Sequence, residues 1–428
     1  MHVEDVIGIL VFVTAISSII NYQYIKLPKS IGLTIITLIL SLLVALLGKL
    51  GWDVYTPAEQ LLAGIDFNET FLHGMLGFLL FAASLNINTV ELAKHKTIVG
   101  LLATVSVLLS TIFVGFCTFA LTLYLGMNIP LEYCLVFGAL ISPTDPITTL
   151  GILKSANAPK SLEMKIAGEA LFNDGMGIVL FVVLLGVAMG SQETWTVQGA
   201  TLFFIRQGFG GLVVGCAMGW LAATLLRRID NDEVAIIVTL AVVTAGYSFS
   251  HHVAHVSGAI SMTMSGLIVG RLLQKGKMSK DTIQRLDSFW ELVDDLLNAV
   301  LFVLIGLEFL TLKFTLNTTL AAVGAIVIVI AGRWVSVAIP VGCMSIFRKY
   351  SHNVVLIMTW GGLRGGISIA LALAVPQGEV RDFILAITYA VVLFSITVQG
   401  LTVGRLVKAL TGRCPQTKVS QEEVIALP

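Results

Sequence analysis

Long apolar stretches recur from one end of the chain to the other, each able to cross a ~30 Å hydrocarbon core as a helix. Thirteen are read, at 6–25, 31–50, 70–87, 98–125, 132–154, 163–190, 200–226, 234–252, 257–273, 288–311, 318–346, 353–375 and 383–410. The pattern predicts an all-α polytopic membrane protein in which residues 1–410 form one transmembrane unit and 411–428 a short tail. Two spans are interrupted. The fifth reads Gly-Ala-Leu-Ile-Ser-Pro-Thr-Asp-Pro-Ile over 138–147, where two prolines remove amide donors and clash with the preceding turn. The twelfth reads Trp-Gly-Gly-Leu-Arg-Gly-Gly-Ile over 360–367, where four glycines weaken the helix around one arginine. Broken backbone at membrane depth is tolerated only inside protein or beside a water-filled cavity.

Composition agrees with this reading. Of 428 residues, 56% are hydrophobic and 12% charged, with a mean hydropathy of +0.92; a soluble domain carries about 25% charged residues. The distribution of charge then orients the chain. With the N-terminus outside and the spans alternating, twenty lysines and arginines fall on inner segments and three, Lys49, Lys313 and Arg381, on outer ones. This asymmetry is the one that positive-inside topology demands, and it places the C-terminus in the cytoplasm. The acidic start Met1-His2-Val3-Glu4-Asp5 lacks the basic region of a cleavable signal, so the first span is read as retained. The expected location is a bacterial inner (cell) membrane.

The two interrupted spans stand seven apart, an odd offset that turns the second copy upside down. Inverted repeats are therefore expected at about 6–190 and 234–410, with 200–226 as linker. Interrupted segments in matching positions of two halves are the best sequence pointer to a transport site.

Charge inside the spans supplies the candidate chemistry, because an ionisable group there is costly. The sixth span contains Gly168-Glu169-Ala-Leu-Phe-Asn173-Asp174-Gly175. At about 100° per residue, Glu169 and Asn173 share a face, while Asp174 lies about 140° from Glu169. The two acids are expected to do different jobs. Glu169 needs a cation, and Arg333, deep in the eleventh span, needs an acid; a pair between them would tie the two spans together. Asp174 has no evident basic partner. It can take a proton, bind a metal cation or reach water, and a group that alternates between the first two is an exchange site. Oxygen ligands suit a hard cation such as sodium. Asp145, directly before Pro146, is expected to cap the second half of its span, and Arg364 to balance the opposite helix ends.

These motifs resemble those of the cation/proton antiporter family that includes NhaP-type bacterial sodium/proton antiporters and the animal sodium/proton exchangers. The resemblance rests on Thr144-Asp145-Pro146, on Glu169-x-x-x-Asn173-Asp174, on Gly361-Gly362-Leu363-Arg364-Gly365 and on Phe302 to Leu307, Phe-Val-Leu-Ile-Gly-Leu, in that family's order. It implies a homodimer with a dimerisation part at about 6–87 and 200–311 and an ion-carrying core at about 98–190 and 318–410. It implies a sodium or lithium site at Asp174, with Asn173, Thr144 and Asp145 around it, and an ion pair between Glu169 and Arg333. The third span departs from the pattern: Ala82 stands where many relatives carry a glutamate, which leaves the choice among sodium, lithium and potassium open.

The function expected is secondary active exchange of a monovalent cation for protons, electroneutral, by alternating access around Asp174. The alternative is sodium-coupled transport of a small organic anion, which would need cationic groups facing the cavity. An intramembrane aspartyl protease using Asp145 and Asp174 lacks the Gly-x-Gly-Asp element, so no enzyme is expected. No cofactor and no nucleic-acid partner are expected; the partners are a second copy of the chain, membrane lipid and the transported cations.

Other features are weaker. Asp287, Glu291, Asp294 and Asp295 form a stripe that is either a funnel for cations or a solvated helix start. His251, His252 and His255 read as a polar loop rather than a zinc site, and Arg206 as a snorkelling residue. None of the five cysteines, Cys117, Cys134, Cys216, Cys343 and Cys414, falls in a metal-type spacing.

Overall fold

The computed structural model describes residues 3–50, 74–155, 160–190, 197–229, 231–275, 278–312, 315–345 and 352–411. Part of the third span, the loop around Lys313 and the tail with Cys414 lie outside the described residues. Among those described there is no strand. The helices are α1 (Val3–Ile20, continued by a wider turn over Asn21–Ile25), α2 (Lys29–Lys49), α3 (Leu76–Leu85), α4 (Thr89–Lys94) and α5 (Lys96–Tyr124). They continue with α6 (Leu131–Ile141), α7 (Pro146–Ser155), α8 (Lys160–Ala188), α9 (Val197–Leu226), α10 (Asp232–Val253), α11 (Gly258–Gln274) and α12 (Lys280–Glu308). The last four are α13 (Leu316–Ser345), α14 (His352–Trp360), α15 (Gly366–Leu373) and α16 (Glu379–Leu410).

Eight helices among the described residues are long and apolar enough to cross a membrane on their own. The remaining apolar stretches fall short for physical reasons. The fifth and twelfth spans are each two half-helices, α6 and α7, then α14 and α15, split where the proline and glycine clusters predict. α12 starts with a charged turn, and α11 has 17 residues. Outward-facing apolar side chains such as Phe12, Leu202, Phe209, Val323 and Val327 are more than half exposed. Helices that are apolar all round belong in hydrocarbon, and the chain is a multi-pass membrane protein. Local signals at the helix starts are ordinary: the side chains of Asn88, Asn231, Ser257 and Ser279 accept from amides two or three residues on, satisfying donors that the first turn leaves free.

Packing divides the helices into two groups. α1, α2, α3, α9, α10, α11 and α12 pack mainly among themselves, and α5 to α8 with α13 to α16 form the other set. In the first group α9 lies close against α11, where Ser261 and Ser265 donate to the carbonyls of Gly211 and Gly215, both at 3.0 Å. Small residues of this kind let helix backbones approach in a membrane. A cluster around Trp290, with Phe81, Ala82, Val243 and Leu272, fills the same group. The second group holds the broken helices, and α8 lies along the seam, touching α3, α9 and α11 across it.

Candidate functional site

The two broken spans cross at their breaks. The Asp145 amide donates to the Leu363 carbonyl at 2.7 Å, and the Thr149 hydroxyl to the Gly361 carbonyl at 2.9 Å. The carbonyl end of α14 thus lies against the first turn of α7, and the breaks of both spans gather at one crossing. Each helix end there brings a partial charge of about half an elementary charge into a low-dielectric interior. Two side chains answer it. Asp145 caps α7, its carboxylate accepting from the Thr148 amide at 3.2 Å and the Thr148 hydroxyl at 2.7 Å. It also lies against the start of α15, since a Cβ on Gly365 would sit 3.0 Å from the Asp145 Cβ. Arg364 is buried, and its guanidinium donates to the carbonyls of Ser142 and, at 2.9 Å, Pro143, closing the end of α6.

α8 buries four polar side chains, Lys165, Glu169, Asn173 and Asp174. Glu169 pairs with Arg333 of α13. Arg333 also donates through Nε to the Met358 carbonyl of α14 at 3.3 Å. Gly362 is needed there, because a Cβ would stand 2.5 Å from that Nε. Asn173 reaches the break in the fifth span: its Nδ2 donates to the Thr144 hydroxyl at 2.9 Å, and its Oδ1 accepts from the Thr144 amide at 3.4 Å. Lys165, counted with an inner loop by charge, is buried in the first turns of α8.

Asp174 differs from its neighbours. It is 2% exposed, and its Oδ1 has no hydrogen-bond partner. It faces a cavity of about 40 Å³ shared with Thr144, Asp145, Asn298, Phe302 and Ser368. Among the described residues, the only charged ones on that wall are Asp145 and Asp174, which favours a cation and disfavours an anion. Ser368 was not singled out from the sequence, yet its hydroxyl is also buried without a partner on the same wall. A wider cavity of about 540 Å³, lined by Lys29, Thr148, Asp295, Asn298 and Phe302, shares Asn298 and Phe302 with the narrow one.

The remaining candidates are placed as follows. The third span faces the cavity through Leu76, Leu79, Leu80 and Ala83, while Ala82 sits in the cluster around Trp290. Of the acidic stripe, Asp295 lines the wider cavity and pairs with Lys29. Asp294 accepts from Asn298 at 3.0 Å. Burial, then the neighbouring Glu291 charge, pushes the Asp287 carboxyl above its usual range. His251 and His252 stack edge to face, and no cluster of three metal-ligating side chains occurs among the described residues. Arg206 is exposed.

Two discontinuous helices crossing beside a buried carboxylate with an unpartnered oxygen are the architecture of a secondary transporter. Residues 9–409 match the family described as "Sodium/hydrogen exchanger, transmembrane", and the chain belongs to that family. It is 40% identical to the Na(+)/H(+) antiporter NhaP of Pseudomonas aeruginosa, over 97% of this chain and 98% of that one. It is 32% identical to the antiporter NhaH of Halobacillus dabanensis, over 94% of this chain and 96% of that one. The fold matches that of the sodium proton antiporter MjNhaP1 from Methanocaldococcus jannaschii with a TM-score of 0.75, covering 96% of this chain and all of the other, at 19% identity.

Proposed function

We infer that this chain exchanges sodium for protons across a membrane, with Asp174 as the group that both ions load in turn. The observation that carries the reading is the buried Asp174 Oδ1, unpartnered and facing a cavity whose charged walls are all acidic. A carboxylate in that position is neutralised by one proton or by one monovalent cation. For the cation, the Thr144 and Ser368 hydroxyls would add oxygen ligands suited to a hard ion. Asn173 holds Thr144 in place. Glu169 and Arg333, and Asp145 and Arg364, are held in structural contacts, which leaves the exchange to Asp174.

The two packing groups support a reading in which the set with the broken helices carries the ion past the other. The other set would pair two copies into a dimer. Thirteen crossings, an outer N-terminus and a cytoplasmic C-terminus in a bacterial cell membrane follow from the basic-residue asymmetry. No catalytic role and no resident cofactor are assigned.

The test is Asp174→Asn, which keeps the side chain's shape and removes its charge and titration. In proteoliposomes with an imposed pH gradient, adding sodium, lithium or potassium in turn should dissipate the gradient for the parent protein. The variant should assemble normally and give no response. A correctly assembled variant that still moves protons on sodium addition refutes the assignment.

A further inference from the structure

A further cleft, of about 580 Å³, opens along the seam between the two helix groups. Its apolar walls include Ala103 of α5, Phe172 and Met176 of α8, Leu212 of α9, and Ile260 and Met264 of α11. Gly100 and Gly208 also line it, and a Cβ built on either would meet no atom within 4 Å, so the slot is open on both walls. Two cations, Lys96 at the start of α5 and Arg271 in the last turn of α11, belong to the same lining. Both are exposed, and neither has an acidic partner among the described residues. Below them the Thr89 amide and hydroxyl both donate to the Gln274 side chain at 3.2 Å, which straps α4 to α11.

An apolar slot of this size falls within the range of small-ligand pockets, ~300–1,000 Å³. Two unpaired cations at its end require a compact anion, and basic pockets between helices on the cytoplasmic side suit phosphate headgroups. Lys96 and Arg271 both lie on the side that the basic-residue asymmetry makes cytoplasmic. We propose that the cleft binds one anionic phospholipid, its phosphate on Lys96 and Arg271 and an acyl chain in the slot between the two helix groups. The acyl chain packs on Phe172 and Met176, which lie about 200° around α8 from Asp174, so the lipid sits behind the helix that carries the site.

Native mass spectrometry of the purified full-length protein, titrated with phosphatidylglycerol or with phosphatidylcholine of the same chain length, reads binding without any transport measurement. Phosphatidylglycerol should be retained in preference. Lys96→Gln and Arg271→Gln should each weaken its binding roughly fivefold, equivalent to about 1 kcal/mol per cation near an anionic headgroup. The double variant, at two exposed positions, should lose more than about tenfold by the same rule. Gly208→Leu keeps both cations, fills the slot and should also weaken binding. Equal retention of the two lipids overturns the proposal, and so does parental affinity in the double variant or in Gly208→Leu. Inorganic phosphate competing as strongly as the lipid would overturn it too, because the slot would then contribute nothing.

Discussion

Removing Glu169 should damage the protein's stability more than its chemistry. Glu169 and Arg333 are 1% and 5% exposed. In Glu169→Ala the guanidinium keeps one main-chain acceptor, the Met358 carbonyl at 3.3 Å, and cannot shed its charge. Breaking one side of such a buried pair costs about 3–5 kcal/mol. The lost pair also frees α8 from α13, and through Arg333 from the end of α14. Arg333→Ala leaves the opposite orphan, a buried carboxylate without its cation, and should cost a similar amount. Exchanging the two charges should recover only part of the deficit, because the swapped arginine no longer reaches Met358. Thermal unfolding in detergent, followed by intrinsic fluorescence, measures all four proteins. Single variants that melt like the parent would refute the pairing argument. So would a charge swap no better than either single variant.

Two further outcomes follow from the site. Ser368→Ala should raise the half-saturating sodium concentration about fivefold, the equivalent of one hydrogen-bond-sized contribution of ~1 kcal/mol, while the variant folds normally; an unchanged sodium dependence would remove Ser368 from the site. Exchange should also be one-for-one and insensitive to voltage, since an empty charged Asp174 costs at least ~2.5–3.5 kcal/mol in hydrocarbon and should cross only when neutralised. Sodium-driven proton flux in vesicles clamped with potassium and valinomycin, once potassium is shown not to be carried, should keep its rate and end point as voltage changes; a systematic shift would mean that a second group titrates.

Much of this arrangement was legible because membranes make certain residues expensive. Pro143 and Pro146, and the four glycines around Arg364, mark breaks that no helix interior would carry by chance, and both breaks are present. Glu169, Arg333 and Asp174 could be sorted by asking which had a partner within reach. Other parts had no such mark. Ser368 and Asn298 are common residues in apolar helices, where a hydroxyl or amide usually bonds its own backbone, so neither announces a site. The inward face of the third span, Leu76, Leu79, Leu80 and Ala83, is as apolar as its outward face, and periodicity cannot distinguish them. The division into two packing groups depends on which long helices touch, information that near-uniform hydrophobicity does not hold.

Asn298 and Phe302 stand between two spaces of very different size. The wide one offers about 540 Å³ and the space beside Asp174 about 40 Å³ by the same measure, so an ion with its shell of water finds less than a tenth of the room there. On the site proposed above, a cation arriving from the wide side would give up solvent between Asn298 and Phe302 and regain oxygen contacts from Thr144, Ser368 and Asp174. How readily each ion makes that trade depends on how tightly it holds water relative to how closely those oxygens can gather. On that reading, selectivity among alkali cations would be a property of the constriction as much as of the carboxylate.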